Sequence, residues 1–378
     1  MTKREEQADR ASDAAALAEA GAVLTIDLGA IRANYRLLKG KLGGARCAAV
    51  VKADAYGLGA DRVAPALAEE GCDTFFVAHL GEGIALRKIL GAVPEIFVLN
   101  GLPPGSEEFC VAAGLVPVIN SEAQLAAWRT EAVRSGKTLP AAVQVDSGMA
   151  RLGMPPEEVE RVAADPHAFD GIDLKLVMSH FARADEPREA SNAEQRAAFE
   201  ALARKLPAAA RSLDNSPGVF LDVENHFDLA RPGCALYGSN PVPGKSNPMR
   251  PVVKLEAKVI QTREIAAGAG IGYGHAAKAV DPMRLATISL GYADGWHRRA
   301  ASFAFFAGKR LPFVGRVSMD SIILDISALP PGSLAPGTLV ELIGPHQSVD
   351  EVAAQAGTIG YEVLTSLRHR FHRVYMDG

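Results

Sequence analysis

Lys52 closes an apolar run at residues 47–51 and opens a polar turn, Ala53-Asp54-Ala55-Tyr56-Gly57-Leu58-Gly59. The run reads as a buried parallel strand, and a helical pattern begins near Asp61. In a β/α protein the carboxyl end of a strand is where loops hold chemistry over a rigid scaffold. A lysine walled by apolar neighbours has its charged form disfavoured, which suits an amine that forms a Schiff base. The plain alternative is a lysine that ends a strand in water. Other polar residues follow the later apolar runs: His79, Asn100, Asn120, residues 146–151, His180, Asn215-Ser216, and Arg231 before Pro232-Gly233. One such residue is a turn former; a succession of them fits a single site facing the axis of a closed barrel. Ser216 and Arg231-Pro-Gly-Cys234 stand at the last strand ends, where backbone N–H groups commonly hold a phosphate-bearing cofactor.

The elements that must position these residues alternate from residue 22 onward. Strands are expected at 23–26, 47–51, 74–78, 95–99, 116–119, 141–145, 174–178 and, more weakly, 212–213. Helices are expected at 29–41, 61–70, 81–89, 121–135, 156–164 and 189–206, with Ser121 and Gln124 as a capping box. That cadence predicts an α/β fold, a (β/α)8 TIM-type barrel over 22–245 that follows an extension at 1–21. A proline- and glycine-rich linker at 239–248 ends it. Beyond it, Val253, Leu255, Ala257 and Val259 alternate with charged residues as in a half-buried strand. Further strands are expected at 285–290, 312–317, 322–326, 338–343 and 371–375, and helices at 350–356 (capped by Ser348 and Glu351) and 361–367. Residues 246–378 therefore read as a mostly antiparallel β domain.

Composition narrows the function. With 40 basic against 44 acidic residues the net charge is -4, which argues against a nucleic-acid or anionic-membrane surface. No apolar run approaches a membrane span, and the mixed-charge, alanine-rich start lacks the apolar core of a signal peptide. Four scattered cysteines, at 47, 72, 110 and 234, fit reduced thiols in a cytoplasmic protein. Nine histidines without an HExxH pattern give no reason to expect a metal. The segment from Gly268 to His275 is glycine-rich but lacks the Lys-Ser/Thr of a phosphate loop. It reads as a hairpin loop, or as a backbone shaped to aim Tyr273 outside its own domain.

Taken together the motifs resemble the alanine racemase family. VVKADAYGLG at 50–59 resembles its pyridoxal-phosphate lysine motif. The likeness continues through DSGMARLG at 146–153, HFARAD at 180–185, NS at 215–216 and RPGCALYG at 231–238. It extends through GYG at 272–274, LGYADGWHRR at 290–299, GRVSMD at 315–320 and TIGYEVLTSL at 358–367. The resemblance implies a barrel followed by a β domain, pyridoxal 5'-phosphate as cofactor, alanine as substrate, and a homodimer with shared active sites. It implies that Lys52 holds the cofactor and exchanges a proton on one face of the α-carbon, with Tyr273 of the partner subunit as base on the other. His180 and Arg231 would form the network that tunes the tyrosine, Arg231 also facing the pyridine nitrogen. Tyr56, Ser216, Gly233, Cys234 and Tyr361 would contact the phosphate, with Asn215 beside them. Arg151 would lie near the cofactor and the substrate carboxylate, Met319 would offer that carboxylate a backbone donor, and Tyr292 and Asp320 would stand at the entrance. The implied role is supply of D-alanine for peptidoglycan, with its degradation as a nutrient left open.

The chain departs from the family at Gln144, where many members carry a carbamylated lysine. A neutral carboxamide cannot replace that anion beside Arg151. Ser318 in place of a cysteine and Leu58 in place of a histidine are milder changes. A broad-specificity amino-acid racemase is the nearest alternative, followed by a related decarboxylase and a non-catalytic protein that carries the cofactor.

Overall fold

The computed structural model describes residues 15–299 and 303–377. The chain forms two compact units, Ala30–Arg250 and the segment ending at Gly29 together with Pro251–Gly378. Residues 1–14 of the expected N-terminal extension lie outside the described residues.

The first unit is a parallel barrel. Strands run in sequence order through Ala49–Val50, Thr74–Val77, Glu95–Val98, Val116–Ile119, Leu139–Gln144, Ile172–Met178 and Ala210–Ser212. Leu229–Ala230 pairs in parallel with Arg46–Cys47, which continues through Ala48 into Ala49–Val50. Backbone bonds from Asp228 to the Arg211 carbonyl and from Arg231 to the Asp214 carbonyl tie that last strand to its other neighbour. The ring is thereby closed on eight strands. Ala48, Val50, Phe76, Phe97, Val118, Ala142, Leu176, Met178 and Leu229 pack as one buried cluster. The Phe76 and Phe97 rings stack with centroids 4.8 Å apart. The helix Glu122–Ser135 starts where expected: the Ser121 hydroxyl accepts from the Gln124 N–H at 3.2 Å. The box is only half formed, because the Gln124 carboxamide oxygen is held by the N–H of Asn120 instead.

Two of the barrel's strand expectations change. Residues 23–26 do not belong to the barrel; Ala22–Asp27 pairs antiparallel with Val253–Ile265 and parallel with His372–Met376 in the other unit. Leu24 and Ile26 are wholly buried there, so the run carries the apolar signature of a core strand in either setting. The barrel's eighth strand is the two-residue Leu229–Ala230, too short to register as an apolar run. The division between units accordingly falls at Arg250/Pro251, a few residues beyond the expected 245/246.

The second unit is built around the long strand Val253–Ile265. Its first half pairs with Ala22–Asp27 and Leu339–Ile343, and its second half with Met283–Ile288. A register irregularity between Val259 and Gln261 separates the halves. Ile322–Asp325 extends the second set. Phe303–Phe306 and Lys309–Pro312 form a hairpin, and the strand expected at 312–317 is reduced to Pro312 at its end and an isolated bridge from Phe313 to Leu324. Among the described residues, the parallel contact with His372–Met376 interrupts an otherwise antiparallel sheet. The helix Val349–Ala356 is capped as expected, Ser348 Oγ accepting from the Glu351 N–H and the Glu351 carboxylate from the Ser348 N–H at 2.7 Å. A short ribbon, Gly270–Ile271 with Ala277–Lys278, carries Tyr273 in its loop. No helix among the described residues is long and apolar enough to cross a membrane.

Candidate active site

Lys52 stands where its strand meets an unusual turn. Ala53, Asp54, Ala55 and Tyr56 are all left-handed, with φ of 52°, 56°, 51° and 57°. That conformation costs about 1–2 kcal/mol for each residue with a Cβ, so the surroundings must hold it. The Ala55 N–H donates to the Val51 carbonyl, the Gly59 N–H to the Asp54 carbonyl, and the Ala60 N–H to the Asp54 carboxylate at 2.8 Å. The Ala53 N–H donates to Glu82 at 2.6 Å. Lys52 is half-buried, and burial lowers its pKa. The charge of Arg151 lowers it further, and that of Glu82 opposes both.

The turn brings Tyr56 over the segment that follows the last barrel strand, beside the strand that carries Lys52. Its ring stacks on Tyr237 with centroids 4.6 Å apart, and the Tyr237 hydroxyl is fixed to the Val50 carbonyl at 2.9 Å. A Cβ on Gly233 would lie 2.3 Å from the Tyr56 hydroxyl oxygen, so a glycine is needed for this approach. Ser216 Oγ accepts from the N–H groups of Gly233 at 2.8 Å and Ala235 at 3.2 Å. Cys234 begins the short helix that follows. Tyr56, Ser216, Gly233 and Cys234 are thus brought together, with the Ser216 hydroxyl oriented by two backbone N–H groups.

Arg231 is 3% exposed, and its guanidinium bonds to protein in several directions. It donates to the Ser179 carbonyl at 2.5 Å, the Leu213 carbonyl at 3.4 Å and the Ser212 hydroxyl. His180 Nδ1 lies 3.5 Å from Arg231, while its Nε2 lies 3.3 Å from the Asn215 carboxamide nitrogen. Burial, then Arg231, Arg151 and Lys52, pushes the imidazole pKa well below its usual value, so the ring is neutral. A neutral imidazole accepts at one nitrogen only; one of the two long contacts is therefore not a hydrogen bond. Burial lowers the Arg231 pKa to about 10, partly offset by Asp214, so the guanidinium keeps its charge near neutral pH.

Arg151 is exposed on the loop that follows Leu139–Gln144. The Asp146 carboxylate collects the N–H groups of Gly148, Met149 and Ala150, and the Met154 N–H returns to the Gln144 carbonyl. Gln144 is buried and donates to the Leu152 carbonyl at 3.0 Å. It anchors the backbone beside Arg151 rather than the guanidinium itself.

In the β unit, Tyr273 is 69% exposed at the tip of its ribbon, between Gly272 and Gly274, both with positive φ. An open cleft of about 680 Å³ is lined by Gly272, Tyr273, Gly274, His275 and Ser318. Tyr292 and Met319 are neighbours, because the N–H groups of Tyr292 and Ala293 bond to the carbonyls of Ser318 and Met319. Asp320 is held by Arg370 at 2.8 Å, and the same guanidinium donates to Asp294 at 2.6 Å. Tyr361 lies in the first turn of Gly360–Ser366.

Several residues escaped the sequence reading. Ser179 and Ser212 hold Arg231, Tyr237 supports Tyr56, and a buried pair, Asp214 and His226 at 2.6 Å, lies beside Asn215. Ser212 carried a usable signal, being a hydroxyl within a buried strand. Tyr237 and His226 carried none, since only the fold brings them close. Asn120, a candidate by position, turns its amide back onto the carbonyls of Leu99 and Val118 and is structural.

A strand-end lysine, a buried arginine and a hydroxyl-lined cradle on a β/α barrel, with a β unit after it, define a class of enzyme that works through a reactive amine. The chain belongs to the alanine racemase family: the model of that family's N-terminal domain matches residues 26–241, and that of its C-terminal domain residues 252–375. A catabolic alanine racemase of Mesorhizobium japonicum is 67% identical over 96% of this chain and 95% of its own. A second, from Agrobacterium fabrum, is 53% identical over 94% of this chain and 92% of its own. The crystal structure of alanine racemase from Bartonella henselae, with covalently bound pyridoxal phosphate, matches with a TM-score of 0.91 at 43% identity. That match covers 94% of this chain and all of that one.

Proposed function

We propose that the protein interconverts L-alanine and D-alanine with pyridoxal 5'-phosphate, using Lys52 and the Tyr273 of a partner subunit as the two bases. The observation that carries this reading is Lys52, its pKa lowered by burial, next to a cradle that closes only because Gly233 lacks a Cβ. The residues present fit the cofactor. The hydroxyls of Tyr56 and Ser216 suit a phosphate, Ser216 being oriented by the N–H groups of Gly233 and Ala235, with Gly233, Cys234, Asn215 and Tyr361 as further contacts. Arg231 is charged and only donates, so it serves a ring nitrogen that accepts. When bound, the cofactor supplies an electron-withdrawing ring that acidifies the α-hydrogen of the attached amino acid.

The protein's own part is to move protons and to orient. A neutral Lys52 amine takes or returns the α-proton on one face. The deprotonated carbon is planar, so a base on the opposite face must complete the inversion; Tyr273, exposed at the tip of its ribbon, is assigned that role. An unperturbed phenol is a poor base at neutral pH. In this reading His180, backed by the charge of Arg231, is the group that favours the phenolate of the partner subunit's Tyr273. Arg151 and the Met319 backbone bind the substrate carboxylate, and Tyr292 and Asp320 line the approach. Two relatives are named catabolic, which supports degradative use of alanine over the cell-wall supply expected from the sequence. Cys47, Cys72, Cys110 and Cys234, none of them in a disulfide, fit a cytoplasmic setting.

Chiral analysis of the purified protein with L-alanine tests the reading. D-Alanine is expected from the wild type, none from Lys52→Ala, and strongly reduced amounts from Tyr273→Phe. Comparable turnover of serine, lysine or arginine would replace the assignment with a broad-specificity racemase, which the neutral Gln144 near Arg151 makes the second reading.

A further inference from the structure

Glu82 lies in the first turn of the helix Leu80–Leu90. Its Oε2 accepts from the N–H groups of Ala78 at 2.8 Å and His79 at 2.9 Å, which caps its own helix. Its Oε1 does something a cap does not require: it accepts from the Ala53 N–H at 2.6 Å. That amide belongs to the planar peptide group joining Lys52 to Ala53. Fixing it fixes the backbone torsion after the Lys52 Cα, and with it the direction in which the lysine side chain leaves the strand. It is also the entry to the left-handed turn. The later amides of Ala55, Leu58 and Gly59 are satisfied by carbonyls of the segment itself, at Val51, Ala55 and Asp54. The entry is held from outside.

We propose that Glu82 is a positioning residue, whose carboxylate clamps the Lys52–Ala53 peptide to the end of the neighbouring barrel strand and so aims the Lys52 amine. The inference rests on the reading of Lys52 as the reacting group. The neighbouring strand is Thr74–Val77, already joined to the lysine's strand by the bond from the Val51 N–H to the Phe76 carbonyl. Glu82 adds a second tie just beyond the point where the sheet ends. Only an ionised carboxylate can make all of its bonds, because both oxygens face N–H groups. A glutamine offers one oxygen and one NH2, so either orientation sets a donor against a donor. An aspartate is one methylene too short to reach both strand ends. The charge on Glu82 also favours the protonated form of Lys52, against burial and Arg151.

The test uses the full-length holoenzyme as wild type, Glu82→Gln, Glu82→Asp and Lys52→Ala. Three readouts are taken: amide exchange over residues 50–60, the pH titration of the bound cofactor's absorbance, and kcat and KM for L-alanine. In the glutamine variant faster exchange at residues 53–56 is expected, with the cofactor titration moved to lower pH. Its kcat is expected to fall about tenfold or more while KM changes little, the signature of a misaimed base. Exchange, titration and kcat like those of the wild type would overturn the proposal. So would a loss of rate that only tracks the fraction of folded protein. If the wild type itself fails to racemise alanine, the reading of the site falls, and the exchange data still decide whether Glu82 holds the turn.

Discussion

Gln144 shows how much one buried amide can decide without touching the chemistry. It sits at the end of Leu139–Gln144 and fastens the Leu152 carbonyl, next to Arg151, the arginine proposed to bind substrate. Gln144→Leu removes the donor and leaves the part-buried Leu152 carbonyl without that bond, which costs up to about 1–3 kcal/mol. The loop can recover that energy by shifting toward water, and Arg151 shifts with it. A several-fold rise in KM for alanine, with kcat changed less, is therefore expected from steady-state kinetics. Equal loss in both parameters would place Gln144 in the chemical step instead. His180 makes a prediction in pH. Its folded pKa lies well below its ordinary value. Below about pH 6.5 the unfolded chain binds a proton that the folded site refuses, so stability must fall as pH falls, by at most about 1.4 kcal/mol per unit from this group. Urea midpoints between pH 7 and 5.5 should drop more steeply for the wild type than for His180→Gln. Parallel slopes would mean that other groups set the acid limit.

At the scale of elements, the sequence was most legible where strand ends carry chemistry. Lys52, His180, Asn215 and Arg231 follow barrel strands in the order expected, because alternation of apolar runs with helical patterns is a local signal. Partner choice between strands is not local. Ala22–Asp27 is as apolar as a barrel strand and even leads into a helix, Leu28–Lys41, yet its hydrogen bonds go to segments far along the chain. Leu229–Ala230 closes the barrel on two residues, with Asp228 and Arg231 at its borders hiding it from any apolar window. The left-handed turn after Lys52 was equally hidden. Its residues are alanine, aspartate, alanine and tyrosine, none of which is chosen for positive φ as glycine is. What permits it is tertiary: Glu82 at its entry, Tyr237 under its last ring and Gly233 beneath the Tyr56 hydroxyl. A turn held from three directions is specified by the fold, and the local sequence only consents to it.

At the scale of the whole molecule the residues proposed for the site come from both units. Lys52, His180 and Arg231 belong to Ala30–Arg250, and Tyr273, Met319 and Tyr361 to the unit containing Pro251–Gly378. Completion of the site by a second subunit is therefore a question about which copy supplies Tyr273, and a genetic mixture answers it. Lys52→Ala and Tyr273→Phe chains, each inactive or nearly so alone, are denatured together, refolded with cofactor in equal amounts and assayed. If each site draws lysine from one subunit and tyrosine from the other, a hybrid dimer has one site with both substitutions and one with neither. Random pairing makes half of the dimers hybrids, with one working site of two in each, so about a quarter of wild-type activity should return. If each chain completes its own site, every site in every dimer lacks one base, and mixing restores nothing. The refolded wild type supplies the reference rate. The result separates the two arrangements even if Tyr273→Phe keeps a residual rate, because restoration must exceed the mean of the two parents.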